Sequence, residues 1–173
     1  MSNQSPVLVS GQSPTVYRRR LGKKLREFRE AARIKLDDVA KHLQYNTTTT
    51  VRRMEAGKIG INPRDVRELA NLYGITAQER NEISALADQQ SRQPGMWHSY
   101  WNSVSQAFYS YLGLESSASS IKVFENVYVN GLLQTEAYTR ALVDGINPGT
   151  AESDREKIVA LRQKRMEMLL RRT

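Results

Sequence analysis

The densest group of side chains able to bind an anion lies near the N-terminus. Between Arg18 and Lys35 the chain carries nine basic and two acidic residues. Residues 1–90 hold 16 Lys and Arg against 10 Asp and Glu, and residues 91–173 hold 10 against 8. Such a segment neutralises phosphates and releases their counterions when it binds nucleic acid. A solvated cationic helix surface explains the same charges, so charge alone leaves both interpretations open.

Residues suited to catalysis or metal binding are few. The chain has no cysteine, and its two histidines, His42 and His98, fall in different predicted domains. A metal site or a catalytic triad needs more converging ligands than this. There is no glycine-rich phosphate loop, and the acidic residues are scattered along the chain. We therefore expect a protein that is not an enzyme and binds neither a cofactor nor a metal.

The composition is typical of a globular protein of the cytoplasm. Hydrophobic residues make up 39% and charged residues 25% of the 173 residues, and the lack of cysteine fits a reducing compartment. The apolar runs are far shorter than the roughly 20 residues that cross a bilayer. Met1–Ser13 lacks the basic and apolar regions of a secretory signal. We expect a cytoplasmic location and no membrane contact.

Helical spacing dominates the first half of the chain. We interpret residues 1–16 as a disordered arm, because most of them are polar and the segment contains glycine and proline. A long helix follows, on which Leu21, Leu25 and Phe28 recur at helical spacing while Lys and Arg fill the other face. Residues 17–90 are expected to form a small all-α domain of five helices.

Turn and cap signals mark the other four helices of this domain. Leu36–Leu43 and Thr47–Ala56 are two short helices separated by a break, with Thr47 as a natural N-cap and Gly57 as a natural C′ residue. Asn62–Pro63 places an N-cap before a proline at the first helical position. Thr76–Glu79 is a capping box that opens the fifth helix.

The second half of the chain has a different sequence pattern. Residues 91–95 (Ser-Arg-Gln-Pro-Gly) are predicted to be a linker, and residues 96–173 a second domain. Two short strands and two helices are predicted in it: Ile121–Phe124 and Val127–Val129 as strands, Thr135–Val143 and Asp154–Arg172 as helices. An apolar stripe on the last helix either packs internally or forms a dimer seam.

The second and third helices have the pattern of a bihelical unit. Such a unit needs apolar anchors on both helices, a small residue where they cross, and polar residues on the outward face of the second helix. Val39 and Leu43 are the anchors of the first helix, Ala40 is the small residue, and Val51 and Met54 are the anchors of the second.

Leu36–Gly57, LDDVAKHLQYNTTTTVRRMEAG, resembles the helix-turn-helix of the XRE family, the Cro/CI-type repressor fold. The segments WHSYW, YLGLE, SSIKVFE and GLLQTEAYTRAL resemble the domain of uncharacterised function that follows it in the actinobacterial WhiJ-like, antitoxin-like branch. The resemblance implies a mainly α protein: a five-helix Cro/CI-type domain, then a smaller, mostly helical domain with short strands. Because the resembling domain normally continues further, we expect the chain to be truncated.

The resemblance further implies that the third helix, about residues 47–56, lies in the major groove of double-stranded DNA. Its outward side chains would be Thr47, Thr48, Thr49, Arg52 and Arg53. Arg53 is the first choice for a base contact, because family members place a polar contact residue at that point. An arginine can pair bidentately with guanine, and for Arg52 a phosphate contact is as plausible. Five basic residues of the first helix are candidates for contacts to the DNA backbone from the flank, though solubility explains them almost as well: Arg18, Arg19, Arg20, Lys23 and Lys24.

Two scaffold features also come from the resemblance. Arg29 and Glu55 are expected to form a buried ion pair between the first and third helices. The turn at Gln44–Asn46 is one residue longer than in the family, so the register of the threonines is open by one residue. Gln44 stands where glycine is usual, which requires a compensating backbone geometry. Leu36 stands where many relatives have a glutamine that holds a phosphate, and that contact is not expected here.

Three hypotheses about function follow. The first is a sequence-specific transcriptional regulator, a homodimer that reads half-sites about one helical turn apart. Its second domain, residues 96–173, would be a partial regulatory or partner-binding domain. The second is an antitoxin-like protein that binds a small cognate protein, with DNA binding as autoregulation. The third and weakest is an enzyme or an RNA-binding protein that uses the basic first helix.

Overall fold

The structure, a computed structural model, describes residues 13–91, 97–100 and 104–170, and every regular element in these ranges is a helix. The helices are α1 (Pro14–Ala31), α2 (Leu36–His42), α3 (Thr48–Glu55), α4 (Pro63–Leu72), α5 (Ala77–Ser91), α6 (Gln106–Glu115), α7 (Glu136–Ile146) and α8 (Glu152–Leu170), with a 3-10 turn at His98–Tyr100. The chain divides into a first unit, Met1–His98 with Ser110–Ser117, and a second unit, Ser99–Tyr109 with Ala118–Thr173. The predicted fold class, five helices followed by a mostly helical region, is confirmed.

The start of α1 corrects the predicted arm. The helix begins at Pro14, inside the 1–16 segment, because proline has helical φ at N1 and Ser13 stands in the N-cap position. Thr15 is buried, and the Ser13 hydroxyl donates a hydrogen bond to the carbonyl of Gly113. The rest of the predicted arm, residues 1–12, and all of the predicted linker except Ser91, which ends α5, lie outside the described residues.

The predicted strands are a second correction. Ile121–Phe124 and Val127–Val129 have the alternation and β-branching of strands but adopt no regular structure. A strand needs a neighbour to complete its hydrogen-bond ladder, and even a two-stranded hairpin is marginal in water. The ranges that the structure describes contain no strand beside these segments, so their sequence preference has no partner.

The core of the first unit combines one apolar face from each of its first five helices. These buried side chains come from α1 (Leu21, Leu25), α2 (Val39, Ala40), α3 (Val51, Met54), α4 (Val66, Leu69, Ala70) and α5 (Ile83, Ala87). Leu43, the remaining anchor expected from the sequence, is half-buried and packs against this core. Burial of Val51 and Met54 therefore fixes which face of α3 points inward.

α1 and α3 approach each other very closely. Gly22, in the middle of α1, has no side chain to hold the helices apart, and a Cβ built on it would lie 2.7 Å from the carbonyl oxygen of Glu55. Arg29 of α1 then grips the same residue: its Nε and Nη2 donate to the two Glu55 carboxylate oxygens at 2.6 and 3.0 Å. The two side chains are only 11% and 9% exposed. Hydrogen bonding to Glu55 raises the pKa of Arg29 above its usual value.

The first four helices end in the same way, with one residue in the left-handed conformation. Gly57 and Gly74 take this place after α3 and α4, and Arg33 and Gln44 take it after α1 and α2. At Gln44 the Tyr45 N–H donates to the Ala40 carbonyl at 2.8 Å, which closes a Schellman motif. Gln44 therefore supplies the expected compensating geometry by adopting the left-handed conformation, at φ +60, although it lacks the conformational freedom of glycine.

The helix starts follow the cap signals in the sequence. The side chain of Asn62 accepts the Asp65 N–H at 2.7 Å at the start of α4. Thr76 and Glu79 form the reciprocal capping box of α5, and hydrogen bonds from Thr76 lower the pKa of Glu79. Thr47 occupies the N-cap position of α3, but its side chain makes no capping hydrogen bond.

The second unit is built on the pair α7 and α8. The Thr135 hydroxyl caps α7 by accepting the Tyr138 N–H at 3.2 Å. Val143 of α7 and Val159 and Leu161 of α8 are buried. Part of the apolar surface of α8 is thus used inside this unit.

We predict that Gly57→Ala destabilises the first unit more than Gly74→Ala. Both glycines have left-handed φ, +64 and +63, so alanine costs about 1–2 kcal/mol at either position. Only at Gly57 would the new Cβ also meet backbone, 2.6 Å from the Cα of Arg19, whereas nothing lies within 4 Å at Gly74. Urea unfolding measures both losses, and equal losses would contradict the close approach of α1 to the end of α3.

We predict that Glu55→Ala lowers the free energy of unfolding by about 3–5 kcal/mol, because it leaves the Arg29 charge in a site 11% exposed without a carboxylate. Glu30→Ala is the matched control. Glu30 also contacts Arg29, at 3.5 Å, but is 51% exposed, so its loss should cost less than about 1 kcal/mol. Urea denaturation distinguishes the two, and similar values for both variants would contradict the scaffold role of Glu55.

Candidate nucleic-acid interface

The outward face of α3 is the candidate site, and its composition follows from helix geometry. Successive residues are rotated by about 100° around an α-helix. With Val51 and Met54 buried, Thr49, Arg52 and Arg53 lie on the opposite side, and all three are exposed. The structure thus brings three of the five predicted contact residues onto one solvent-facing surface.

The other two threonines lie at the start of this face. Thr48 is the first helical residue and half-buried at its edge, and Thr47 is exposed in extended backbone just before the helix. Thr50 is half-buried. The extra residue of the α2–α3 turn is therefore accommodated before Thr48, and the helix itself continues without interruption to Glu55.

The charge of this face is not neutralised within the described part of the chain. Neither Arg52 nor Arg53 forms an ion pair there, and the first turn of α3 has no acidic residue. Two free guanidinium groups beside a threonine hydroxyl offer donors to phosphate oxygens or to guanine O6 and N7, and the threonine methyl offers an apolar contact to thymine. The arrangement is suited to binding and lacks a nucleophile paired with a base.

Arg20 and Lys24, two of the flanking residues expected from α1, are not brought to this face. Lys24 is held by an ion pair with Glu82 of α5 at 2.9 Å. Arg20 is exposed, but it lies about 160° around α1 from Gly22, the residue that contacts α3. Both side chains therefore point away from the α1–α3 contact.

Arg19 is the basic residue of α1 that the structure distinguishes from its neighbours. Its Cα would lie 2.6 Å from a Cβ built on Gly57, so it sits directly against the C-terminal end of α3, and the residue is exposed. Sequence reasoning named Arg19 only as one of five flanking candidates, because the basic run around it gives no reason to prefer one position. Arg19 is distinguished by its close approach to Gly57, the glycine that ends α3, and only the folded structure reveals this approach.

Leu36, at the first position of α2, packs against the core and provides no polar group. The next two residues, Asp37 and Asp38, are exposed acids in the first turn of α2. Leu36, Asp37 and Asp38 thus provide no cationic donor for a phosphate at these positions.

The histidines do not converge on a site. His42 lies 3.5 Å from Glu68 of α4, and His98 is exposed on the 3-10 turn. Across residues 13–91, 97–100 and 104–170, no three His, Cys, Asp or Glu side chains come together as a metal site. In the same ranges, no helix has both the length and the apolar character needed to cross a bilayer.

Comparison with known proteins adds two findings. Residues 20–83 match the family model of a helix-turn-helix domain, and residues 108–173 match that of a domain of unknown function, DUF5753. No curated protein and no solved structure matches the chain. The helix-turn-helix match indicates DNA binding and, with it, regulation of transcription. The chain therefore contains one region that is similar to helix-turn-helix domains and a second region that is similar to DUF5753.

Proposed function

We propose that this protein is a sequence-specific transcriptional regulator of the XRE type, in which α3 reads the major groove of double-stranded DNA. One observation carries the proposal: Thr49, Arg52 and Arg53 share the exposed face of a helix whose opposite face is buried. A polar face on a rigidly packed helix supplies base contacts at fixed positions, as direct readout requires.

The residues of this face have different tasks. Arg53 pairs with a guanine through O6 and N7, and Arg52 contacts a base or a phosphate. Thr47, Thr48 and Thr49 contact phosphates and base edges at the start of the helix. Arg19, beside the C-terminal end of α3, neutralises a backbone phosphate.

The protein acts as a homodimer without enzymatic activity, in the cytoplasm. Two copies of α3 would read half-sites roughly 34–36 Å apart, one helical turn of DNA. By its resemblance it belongs to the WhiJ-like branch, in which the second domain receives a signal or binds a partner.

Binding selection from a random pool of duplex DNA, with the full chain, tests this proposal. A regulator enriches one sequence motif, and we call the duplex that carries it the selected duplex. Specific binding should exceed binding to a scrambled duplex by at least about a thousandfold at physiological salt. Recovery of duplexes without any common motif would contradict the proposed function.

We predict that Arg53→Ala weakens binding to the selected duplex by about 5- to 150-fold, corresponding to about 1–3 kcal/mol for one bidentate base contact. The loss should fall on a single base pair, so that repeating the selection with this variant gives a motif with one relaxed position. Fluorescence anisotropy at fixed salt measures the affinity.

Two variants on α1 provide the comparison. Arg19→Ala should weaken binding to the selected and scrambled duplexes alike and reduce the slope of log affinity against log salt by about 0.9. Arg20→Ala should change neither, because Arg20 points away from α3. Unchanged affinity in Arg53→Ala together with a loss in Arg20→Ala would show that α3 is not the reading element.

A second function, antitoxin-like binding of a small cognate protein, is favoured by an observation in the second unit. The segment 123–129 exposes a run of large apolar side chains, including Phe124 at 88% and Val127 at 71%. Contiguous exposed apolar surface of this kind is typical of protein–protein interaction sites. This function coexists with DNA binding, which then serves autoregulation.

We predict that Phe124→Ser abolishes a stoichiometric complex with a small protein in material purified from the native cell, while affinity for the selected duplex is unchanged. Ile146→Ser is the matched control, since Ile146 is also exposed, at 60%, but lies outside the apolar run. Light scattering coupled to size exclusion measures the mass of the complex. A wild-type chain that elutes without a second protein would contradict this function.

A further inference from the structure

The turn between α2 and α3 determines where α3 begins, and its backbone is strained. Gln44 holds a left-handed φ of +60 without being glycine. Thr47, at the N-cap position, makes no side-chain hydrogen bond to the first turn of α3. Besides the backbone hydrogen bonds of the Schellman motif, a side-chain contact from elsewhere in the fold stabilises this turn.

That contact is a hydrogen bond across 20 positions of sequence. The Tyr45 hydroxyl donates to Oδ2 of Asp65, on α4, and the Asn62 side-chain amide donates to the same oxygen at 2.9 Å. Asp65 is only 7% exposed. Burial, together with the Asp65 hydrogen bond, raises the pKa of Tyr45 to about 12, so the phenol remains a donor at neutral pH.

The surroundings of the Tyr45–Asp65 hydrogen bond show how the turn and α4 are joined. A pocket of about 390 Å³ is lined by residues of both the turn and α4, among them Gln44, Tyr45, Asn62 and Asp65, while the Tyr45 ring also packs against the core. Where a cavity takes the place of packed side chains, van der Waals contacts are lost. Across it, the Tyr45–Asp65 bond and the more exposed His42–Glu68 pair, at 3.5 Å, link the two elements.

We infer that Tyr45, acting through Asp65, is a positioning residue that sets the orientation of α3 against DNA. This rests on the proposed function. The C-terminal end of α3 is fixed by the Arg29–Glu55 ion pair, and Tyr45 fixes the N-terminal end. A helix of eight residues held at one end can pivot, and a pivot misplaces base contacts while leaving phosphate attraction almost intact.

The test compares Tyr45→Phe, which removes only the hydroxyl, with Asp65→Asn, which keeps an oxygen acceptor for it. Tyr17→Phe is the matched control, because the Tyr17 hydroxyl has no hydrogen bond within the described residues. All four proteins are measured at a temperature at which circular dichroism shows them folded. Affinity is measured for the selected and the scrambled duplex, with a salt titration of each.

Tyr45→Phe should lower affinity for the selected duplex about tenfold, with affinity for the scrambled duplex and the salt slope unchanged. Asp65→Asn and Tyr17→Phe should stay within about twofold of wild type. Equal weakening on both duplexes, or a lower melting temperature with unchanged discrimination, would overturn the inference.

A readout without DNA separates this inference from the proposed function. In the free protein, Tyr45→Phe should accelerate amide hydrogen exchange in α3 about tenfold, while exchange in α5 keeps its wild-type rate. Unchanged exchange in α3 would overturn the positioning role even if DNA binding holds. Faster exchange in a protein that selects no DNA motif would instead support the role of Tyr45 and contradict the proposed function.

Discussion

The bidentate ion pair between Arg29 and Glu55 is the interaction on which the placement of α3 depends. Burying two charges costs several kcal/mol per ion, and only good geometry with full hydrogen bonding offsets that cost. Here both carboxylate oxygens are used, and Arg29 also donates to the Ile34 carbonyl at 3.2 Å. The pair can form because Gly22 lets the backbones of α1 and α3 touch. Removing either partner leaves the other charge buried and unpaired.

The position of α3 in turn decides what the protein can do. The helix is short, and four successive β-branched threonines at its start have low helix propensity, so its stability comes from packing rather than from its own sequence. Val51 and Met54 supply that packing, and their burial leaves Arg52 and Arg53 facing solvent. Because packing holds the helix in place, its exposed face can carry polar residues that, under the proposed function, contact DNA.

Local sequence signals predicted the helix boundaries of the first unit well. They did not predict contacts between residues that are distant in sequence. The caps at Asn62 and Thr76 and the stop at Gly57 act within a few residues, so their chemistry is readable from spacing. The Tyr45–Asp65 hydrogen bond joins residues on different elements, and no sequence pattern predicts it. The strands predicted between residues 121 and 129 were wrong for the same reason, because strand formation depends on a neighbour.

The central claim is that α3 reads bases from the major groove, and dimethyl sulfate footprinting on the selected duplex tests it most directly. This reagent methylates guanine N7, which faces the major groove, and adenine N3, which faces the minor groove. Bound protein should protect guanine N7 within each half-site, and Arg53→Ala should restore methylation at one guanine while its neighbours stay protected. Protection confined to adenine N3, or a guanine pattern identical in wild type and Arg53→Ala, would contradict the account.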